Sequence, residues 1–318
     1  MSIRQKQPLL RVVELVKEFH EGPLVLRAVN SISFEVYPGE AVGLVGESGC
    51  GKTTAVRSIL RLTEPTSGHV YFGGTDLTTL SRGEMRAARR NLQMVFQDPD
   101  TSLNPRFTVR RTLAEPLKLH KLANGGTLDT RLLETMGRVN LDPEFLQRYP
   151  HQLSEGQRQR VGVARAIITE PQFVALDEPT SALDMSVRIH MIALLQRLQE
   201  ELGMTYVFIA HDLSAVRALC NRVMVMYLGA IVESGPTDEI FDRPLHYYTR
   251  ALLSAIPIPD PQVKRQRILL KDEPPSLYDV PKGCAFHERC ADAQPRCRES
   301  RPELRDVGGG HLVACEGI

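Results

Sequence analysis

Short apolar runs rich in valine, isoleucine and leucine alternate with segments of helical period through most of the chain. Ala41–Val45, Phe173–Leu176, Tyr206–Ala210 and Val223–Tyr227 are apolar along their whole length, the pattern of strands covered on both faces. Lys52–Leu62, Val187–Leu202 and Leu213–Leu219 carry the helical period between them. This alternation predicts an α/β fold with a parallel core sheet. Several alternating strand candidates between Leu10 and Phe72 predict a small antiparallel side sheet. From about Asp98 to Ala166 the pattern is mostly helical, which predicts an inserted helical subdomain.

The pattern changes near Ile256. Ile256-Pro-Ile-Pro-Asp-Pro261 reads as an extended linker, and the segment beyond it has few periodic apolar positions. Two domains follow: 1–255, and a C-terminal extension 256–318 with too little core to fold unaided. Lysine plus arginine (39) nearly balances aspartate plus glutamate (38), which argues against the electrostatic footprint of a nucleic-acid binder. The basic run at Arg86, Arg89 and Arg90 reads as a solvated helix face. Met1–Val16 lacks the apolar stretch of a secretory signal, and no segment approaches the ~20 apolar residues that cross a bilayer. These features predict a cytoplasmic chain whose membrane role, if any, runs through a partner.

Gly46-Glu47-Ser48-Gly49-Cys50-Gly51-Lys52-Thr53 fits the phosphate-loop pattern and lies where its chemistry needs it, after a strand and at the start of a helix. Glycines let the backbone wrap an anion, so that N–H groups and the helix N-terminus face the phosphates. Lys52 then reaches the β- and γ-phosphates, and the Thr53 hydroxyl serves Mg²⁺, with Thr54 following. Cys50 reads as a small residue tolerated in the loop; a helix N-terminus can also lower a thiol's pKa, which leaves a redox role as the minor alternative. Phe173–Leu176 ends in Asp177 and Glu178, one acid to hold the Mg²⁺ shell and one to activate water. Positioning and charge neutralisation carry most of such a reaction. Up to this point the chain is a phosphate-loop ATPase or GTPase.

Further motifs narrow the class. Leu153-Ser154-Glu155-Gly156-Gln157 resembles the signature of the ABC ATPases; Ser181-Ala182-Leu183-Asp184 resembles their D-loop and Gln97 their Q-loop glutamine. His211 is placed like the switch histidine, though such a residue alone reads as structural, and Phe19 is similar to the adenine-stacking aromatic. The motifs occur in the family's order over residues 10–235. The resemblance implies a head-to-tail dimer holding ATP and Mg²⁺ at its interface, with Leu153 to Gln157 facing the partner's nucleotide. It assigns Glu178, His211 and Gln97 to catalysis, Thr53, Gln97 and Asp177 to Mg²⁺, and Ser181 to Asp184 to the D-loop. Glu155 replaces the usual glycine, and its carboxylate is expected to turn away from the γ-phosphate.

The tail resembles that of dipeptide, oligopeptide and nickel permease ATPases, through Pro244-Leu-His246-Tyr247-Tyr248-Thr249 and Cys284, Cys290, Cys297 and Cys315. Four thiols can bind zinc or an iron–sulfur cluster, and the Cys-x₅-Cys-x₆-Cys spacing is wider than a zinc knuckle's. The resemblance favours a [4Fe–4S] cluster, with Zn²⁺ as alternative; His287 reads as a surface histidine that could replace a ligand. Cys220 reads as a small buried residue. The branch further implies a second, different ATPase subunit, two transmembrane permease subunits, an extracytoplasmic substrate-binding protein, and a peripheral place on the cytoplasmic face of the inner membrane. Alternatives are a soluble ABC ATPase that does no transport, and an iron–sulfur-linked regulatory ATPase. The cargo, peptide or related solute, is set by other subunits.

Overall fold

The computed structural model describes residues 7–181, 183–256, 268–270 and 273–318. Ala182 of the expected D-loop, Pro257 to Pro261 of the expected linker and Met1 to Lys6 lie outside the described residues. The first elements are β1 (Leu10–Glu21), β2 (Leu24–Val36), β3 (Ala41–Val45), α1 (Lys52–Ile59), β4 (Ser67–Phe72), β5 (Thr75–Asp76), α2 (Arg82–Ala88) and β6 (Leu92–Val95). Then come α3 (Pro99–Ser102), α4 (Val109–Leu119), α5 (Leu128–Arg138), α6 (Glu155–Ile167), β7 (Phe173–Asp177), α7 (Met185–Leu202), β8 (Thr205–Ile209) and α8 (Leu213–Leu219). The chain continues through β9 (Arg222–Tyr227), β10 (Ala230–Pro236), α9 (Thr237–Asp242), α10 (Tyr247–Ser254), β11 (Arg305–Asp306) and β12 (Leu312–Val313). It divides into two compact units, one of the described residues in 1–36, 41–78 and 211–318, the other of 37–40 and 79–210.

In the first unit β1 pairs antiparallel with β2 and β4, and β5 completes a four-stranded sheet in the order β2-β1-β4-β5. This is the antiparallel layer that the alternation between Leu10 and Phe72 predicts. Leu10, Val12 and Leu15 point into its core, and the register breaks between Val12 and Leu15, where Glu14 takes a left-handed φ of 47°. The unit's second group of strands pairs in the order β11-β12-β10-β9-β3, with β3 and β9 parallel and the rest antiparallel. Every residue of β3 is buried, which is why its sequence shows no polar alternation.

Helix α1 is shorter than its apolar period, which runs on to Leu62. It stops at Ile59: Leu60 is the C-cap, and Arg61 beyond it turns left-handed (φ 48°), its guanidinium donating to the Leu77 carbonyl (2.6 Å) and to Glu64 (3.0 Å). Leu62 is left largely exposed.

The C-terminal extension belongs to the first unit. Its strand β12 pairs with β10 at Glu233 and Ser234. Phe286, 1% exposed, sits among Tyr227, His246 and Tyr248 with ring centroids 5.2, 5.6 and 5.4 Å away. The His311 ring meets the fully buried Glu233 carboxylate at 2.7 Å, and Glu233 also accepts from the Leu245 and His246 N–H groups. A core-poor tail is thus ordered by surface that the preceding domain supplies.

In the second unit β6, β7 and β8 are parallel neighbours, with Leu92 opposite Phe173 and Phe173 opposite Thr205. Helices α3 to α6 form the predicted helical region, closed on Leu113, Leu117, Leu132, Met136 and Val161, all nearly inaccessible. Helix α7 starts at Met185, two residues before the expected Val187, because Asp184 caps it, and it ends on Gly203 at φ 62°. Among the described residues no helix is long and apolar enough to cross a membrane.

Candidate functional site

The phosphate loop spans the turn from β3 into α1. Gly46 and Gly51 have φ of 153° and 106°, and a Cβ there would lie 2.2 Å from the Met226 carbonyl oxygen and 2.0 Å from that of Ala28. Glycine is required at both positions because a side chain would displace backbone of the neighbouring strands. Lys52, 5% exposed, donates from Nζ to the carbonyls of Gly46 and Glu47, both at 2.9 Å. The ammonium thus folds back over its own loop. Ser48 and Gly49 are exposed at the loop's crest, whereas Cys50 is buried. Burial pushes the Cys50 thiol up, against the opposing pull of Lys52, so it is no activated thiolate. Thr53 and Thr54 occupy the first turn of α1.

Two residues of the C-terminal motifs, to which sequence reading gave no role at the nucleotide site, also hold this loop. The Glu47 N–H donates to the Tyr248 hydroxyl (2.7 Å), and the Arg289 guanidinium grips the Glu47 carboxylate at 2.9 and 3.0 Å. They stand 201 and 242 positions along the chain, beyond the reach of any local pattern. Phe19 lies near the end of β1, 40% exposed, with the Lys17 ammonium 4.8 Å from its ring centroid. His211 is exposed just before Asp212, whose carboxylate caps α8.

In the second unit Asp177 closes β7 and is fully buried. Glu178, 6% exposed, follows in a left-handed conformation (φ 48°), a costly state for a residue with a side chain. Its N–H donates to the Ile209 carbonyl (3.0 Å) and its carbonyl accepts from the Ser181 hydroxyl (3.1 Å), which hold the turn. The Gln97 amide donates to the Glu178 carboxylate at 2.9 Å, so these two predicted residues, 81 positions apart, are brought together.

The signature segment is a helix start. The Ser154 hydroxyl accepts from the Gln157 N–H (3.3 Å) and the Gln157 side chain accepts from the Ser154 N–H (2.8 Å), a reciprocal cap on α6. Leu153 is buried, and a Cβ on Gly156 would meet Val187 Cγ1 at 2.8 Å. Glu155 lies exposed in the first turn, where the helix dipole favours an acid. In the D-loop Leu183 is buried, while Asp184 accepts from the Val187 N–H (3.0 Å) and the Ser186 hydroxyl (2.7 Å), bonds that hold its carboxyl below the usual range.

The cysteine tail departs from expectation. All six cysteines are free thiols, and among the described residues no group of three or more His, Cys, Asp or Glu is placed to hold a metal ion. Burial, with the nearby thiols of Cys297, Cys290 and Cys315 adding to it, pushes Cys284 up to about 11. Cys297 and Cys315 each accept a weak backbone bond, from Gln294 (3.5 Å) and Gly317 (3.4 Å). His287 Nδ1 lies 2.9 Å from the Cys284 carbonyl oxygen. No step is therefore assigned to a cluster.

Residues 29–181 match the family model described as "ABC transporter", and residues 232–297 match "Oligopeptide/dipeptide transporter, C-terminal region". Over 98% of this chain and 96% of its own length, the putative oligopeptide transport ATP-binding protein YkfD of Bacillus subtilis is 50% identical. The chain belongs to the ABC transporter ATP-binding family. Oligopeptide transport ATP-binding protein OppF of Salmonella typhimurium is 45% identical over 98% of this chain and 97% of its own. Among solved structures, the post-hydrolysis dimer of the ATP-binding cassette MJ0796 with ADP and Pi is similar at TM-score 0.67 and 30% identity, covering 72% of this chain and 98% of that one. The structure of cbiO1 from Clostridium perfringens, part of the ABC transporter complex cbiONQ, aligns at TM-score 0.66 and 28% identity over 74% of this chain and 91% of its own. The parallel core with an antiparallel side sheet is thus the ABC cassette fold. The match to the oligopeptide-type C-terminal region includes Cys284, Cys290 and Cys297 and ends before Cys315.

Proposed function

We propose that this chain is the ATP-hydrolysing subunit of an importer for oligopeptides or dipeptides, acting at the cytoplasmic face of the membrane. The observation that carries the reading is the 45–50% identity, over nearly the whole chain, to proteins described as oligopeptide transport ATP-binding proteins. Residues 46–54 bind the ATP phosphates, and Lys52 leaves its loop carbonyls for the β- and γ-phosphates. Thr53, Gln97 and Asp177 hold Mg²⁺; a hydroxyl, an amide oxygen and a carboxylate are the hard oxygen donors this ion takes, and bound there it neutralises phosphate charge. Glu178 takes a proton from the attacking water and Gln97 orients it, in keeping with the 2.9 Å bond between them. His211 supports the γ-phosphate, and Phe19 stacks on adenine.

The signature works in a dimer. Ser154 uses an acceptor lone pair for the helix cap, so its O–H hydrogen still serves as a donor to the partner's γ-phosphate, beside the N–H groups of the α6 N-terminus. Exposed Glu155 turns away from that anion. The D-loop, Ser181 to Asp184, borders the same interface. The partners are a second, related ATPase, two transmembrane permease subunits and an extracytoplasmic substrate-binding protein.

Affinity capture of tagged protein from mildly solubilised membranes tests this reading. Recovery of two multi-span proteins and a second ATPase supports it; recovery of ribosomes or DNA-repair factors turns it to an ABC ATPase without a transport role. The cysteine tail stands apart. Four cysteines in one short segment, spaced more widely than in a zinc knuckle, are the sequence feature behind a [4Fe–4S] cluster, with Zn²⁺ as the alternative, and iron and acid-labile sulfide assays on anaerobically purified protein decide between them.

A further inference from the structure

Glu47 is the second residue of the phosphate loop, a position that the loop pattern leaves open. A carboxylate there opposes the loop's purpose, since it adds negative charge where a triphosphate must bind. The structure answers this charge from the far end of the chain. Arg289 places one guanidinium nitrogen on each Glu47 oxygen, 2.9 and 3.0 Å away, in the parallel fork that arginine alone provides.

The pair is built rather than incidental. The Arg289 side chain is 6% exposed and Glu47 29% exposed, so the contact is largely shielded from water. Arg289 also donates to the Tyr227 hydroxyl (3.3 Å), and its guanidinium lies 5.8 and 5.9 Å from the ring centroids of Tyr227 and Phe286. Phe286, three residues earlier and buried, anchors the turn that carries Arg289. The backbone of Glu47 is held as well, its N–H by the Tyr248 hydroxyl and its carbonyl by Lys52. Arg289 stands directly before Cys290 and five residues after Cys284, so the cysteine-bearing turn delivers it.

We propose that Arg289 is a positioning residue of the nucleotide site. It neutralises Glu47 and ties up both of its carboxylate oxygens, leaving the loop's N–H groups and Lys52 as the charges that meet the phosphates. The C-terminal extension is thereby part of what sets ATP affinity. This inference rests on the ATP-binding reading above and deepens it.

Calorimetric titration of the purified full-length chain with Mg-ATP tests it. Arg289→Ala is expected to weaken binding about ten-fold, the size of one uncompensated charge several ångströms from an anion in partly shielded surroundings. Arg289→Lys, which keeps the charge and loses the fork, falls between that variant and the wild type. The deciding variant is Arg289→Ala combined with Glu47→Gln: removal of the carboxylate restores affinity to within about three-fold of wild type. Wild-type affinity in Arg289→Ala overturns the inference. So does a double variant that binds no better than Arg289→Ala, which reduces Arg289 to a packing role. A wild-type chain that binds no Mg-ATP overturns the underlying reading instead, a result the same titration tells apart.

Discussion

His246 caps α10 with its ring. Nδ1 accepts a hydrogen bond from the Tyr248 N–H (3.1 Å), so the neutral ring carries its proton on Nε2. The residue is 2% exposed, and burial, with Arg250 adding to it, lowers its pKa from 6.5 to about 4. A protonated ring would have N–H on both nitrogens and no lone pair for the cap. The unfolded chain therefore takes up a proton near pH 6.5 and the folded chain only near pH 4. This contribution to stability is complete above about pH 6.5 and is lost as pH falls towards 4. Over that interval the loss is about 3 kcal/mol, at roughly 1.4 kcal/mol for each pH unit. The perturbation is His246→Asn, which keeps a capping side chain and does not titrate there. Urea unfolding followed by circular dichroism, at about pH 7 and about pH 4.5, gives each protein's change in stability with acid. Asparagine lowers stability at neutral pH through lost packing against Phe286, and the gap to wild type narrows by about 2–3 kcal/mol on acidification. A gap of constant size at both pH values would refute the buried, neutral cap.

The other expectations are local. Gly51→Ala puts a methyl 2.0 Å from the Ala28 carbonyl at φ 106°, so the loop distorts, ATP binding measured by titration falls below detection and the melting temperature drops; wild-type affinity would show that the loop yields. Phe286→Ala empties the aromatic cluster and costs about 3–5 kcal/mol locally, read as faster proteolysis of the C-terminal extension; an unchanged cleavage rate would mean that the tail is held by β12 and the Glu233–His311 pair alone. Glu178→Gln keeps Mg-ATP binding while turnover falls by about a hundred-fold or more, and near-normal phosphate release from that variant would remove Glu178 from the role of base.

The α/β alternation, the phosphate loop and the paired acids were readable along the chain because each depends on neighbours in sequence. Strands covered on both faces must be apolar throughout, so Ala41–Val45 and Phe173–Leu176 announced themselves. Gly46 and Gly51 are glycines because adjacent backbone leaves no room for a Cβ, a constraint that survives as a spacing pattern. Gln97 and Glu178 were each picked out through family order, but the hydrogen bond between them came only with the structure, since nothing local links residues 81 apart. Helix ends were less readable: α1 stops early on the left-handed Arg61, and α7 starts early on the Asp184 cap. What tertiary structure alone decided is the surrounding of Glu47. Its partner Arg289 lies 242 residues away in a tail whose own sequence shows little core, and that tail is ordered by Tyr227, Tyr248 and Glu233 of the preceding domain. Four cysteines in sequence likewise suggested a ligand set that the described geometry does not assemble. Motif chemistry is short-range and leaves its trace in spacing, whereas charge pairing and aromatic packing across such separations exist only once the chain has folded.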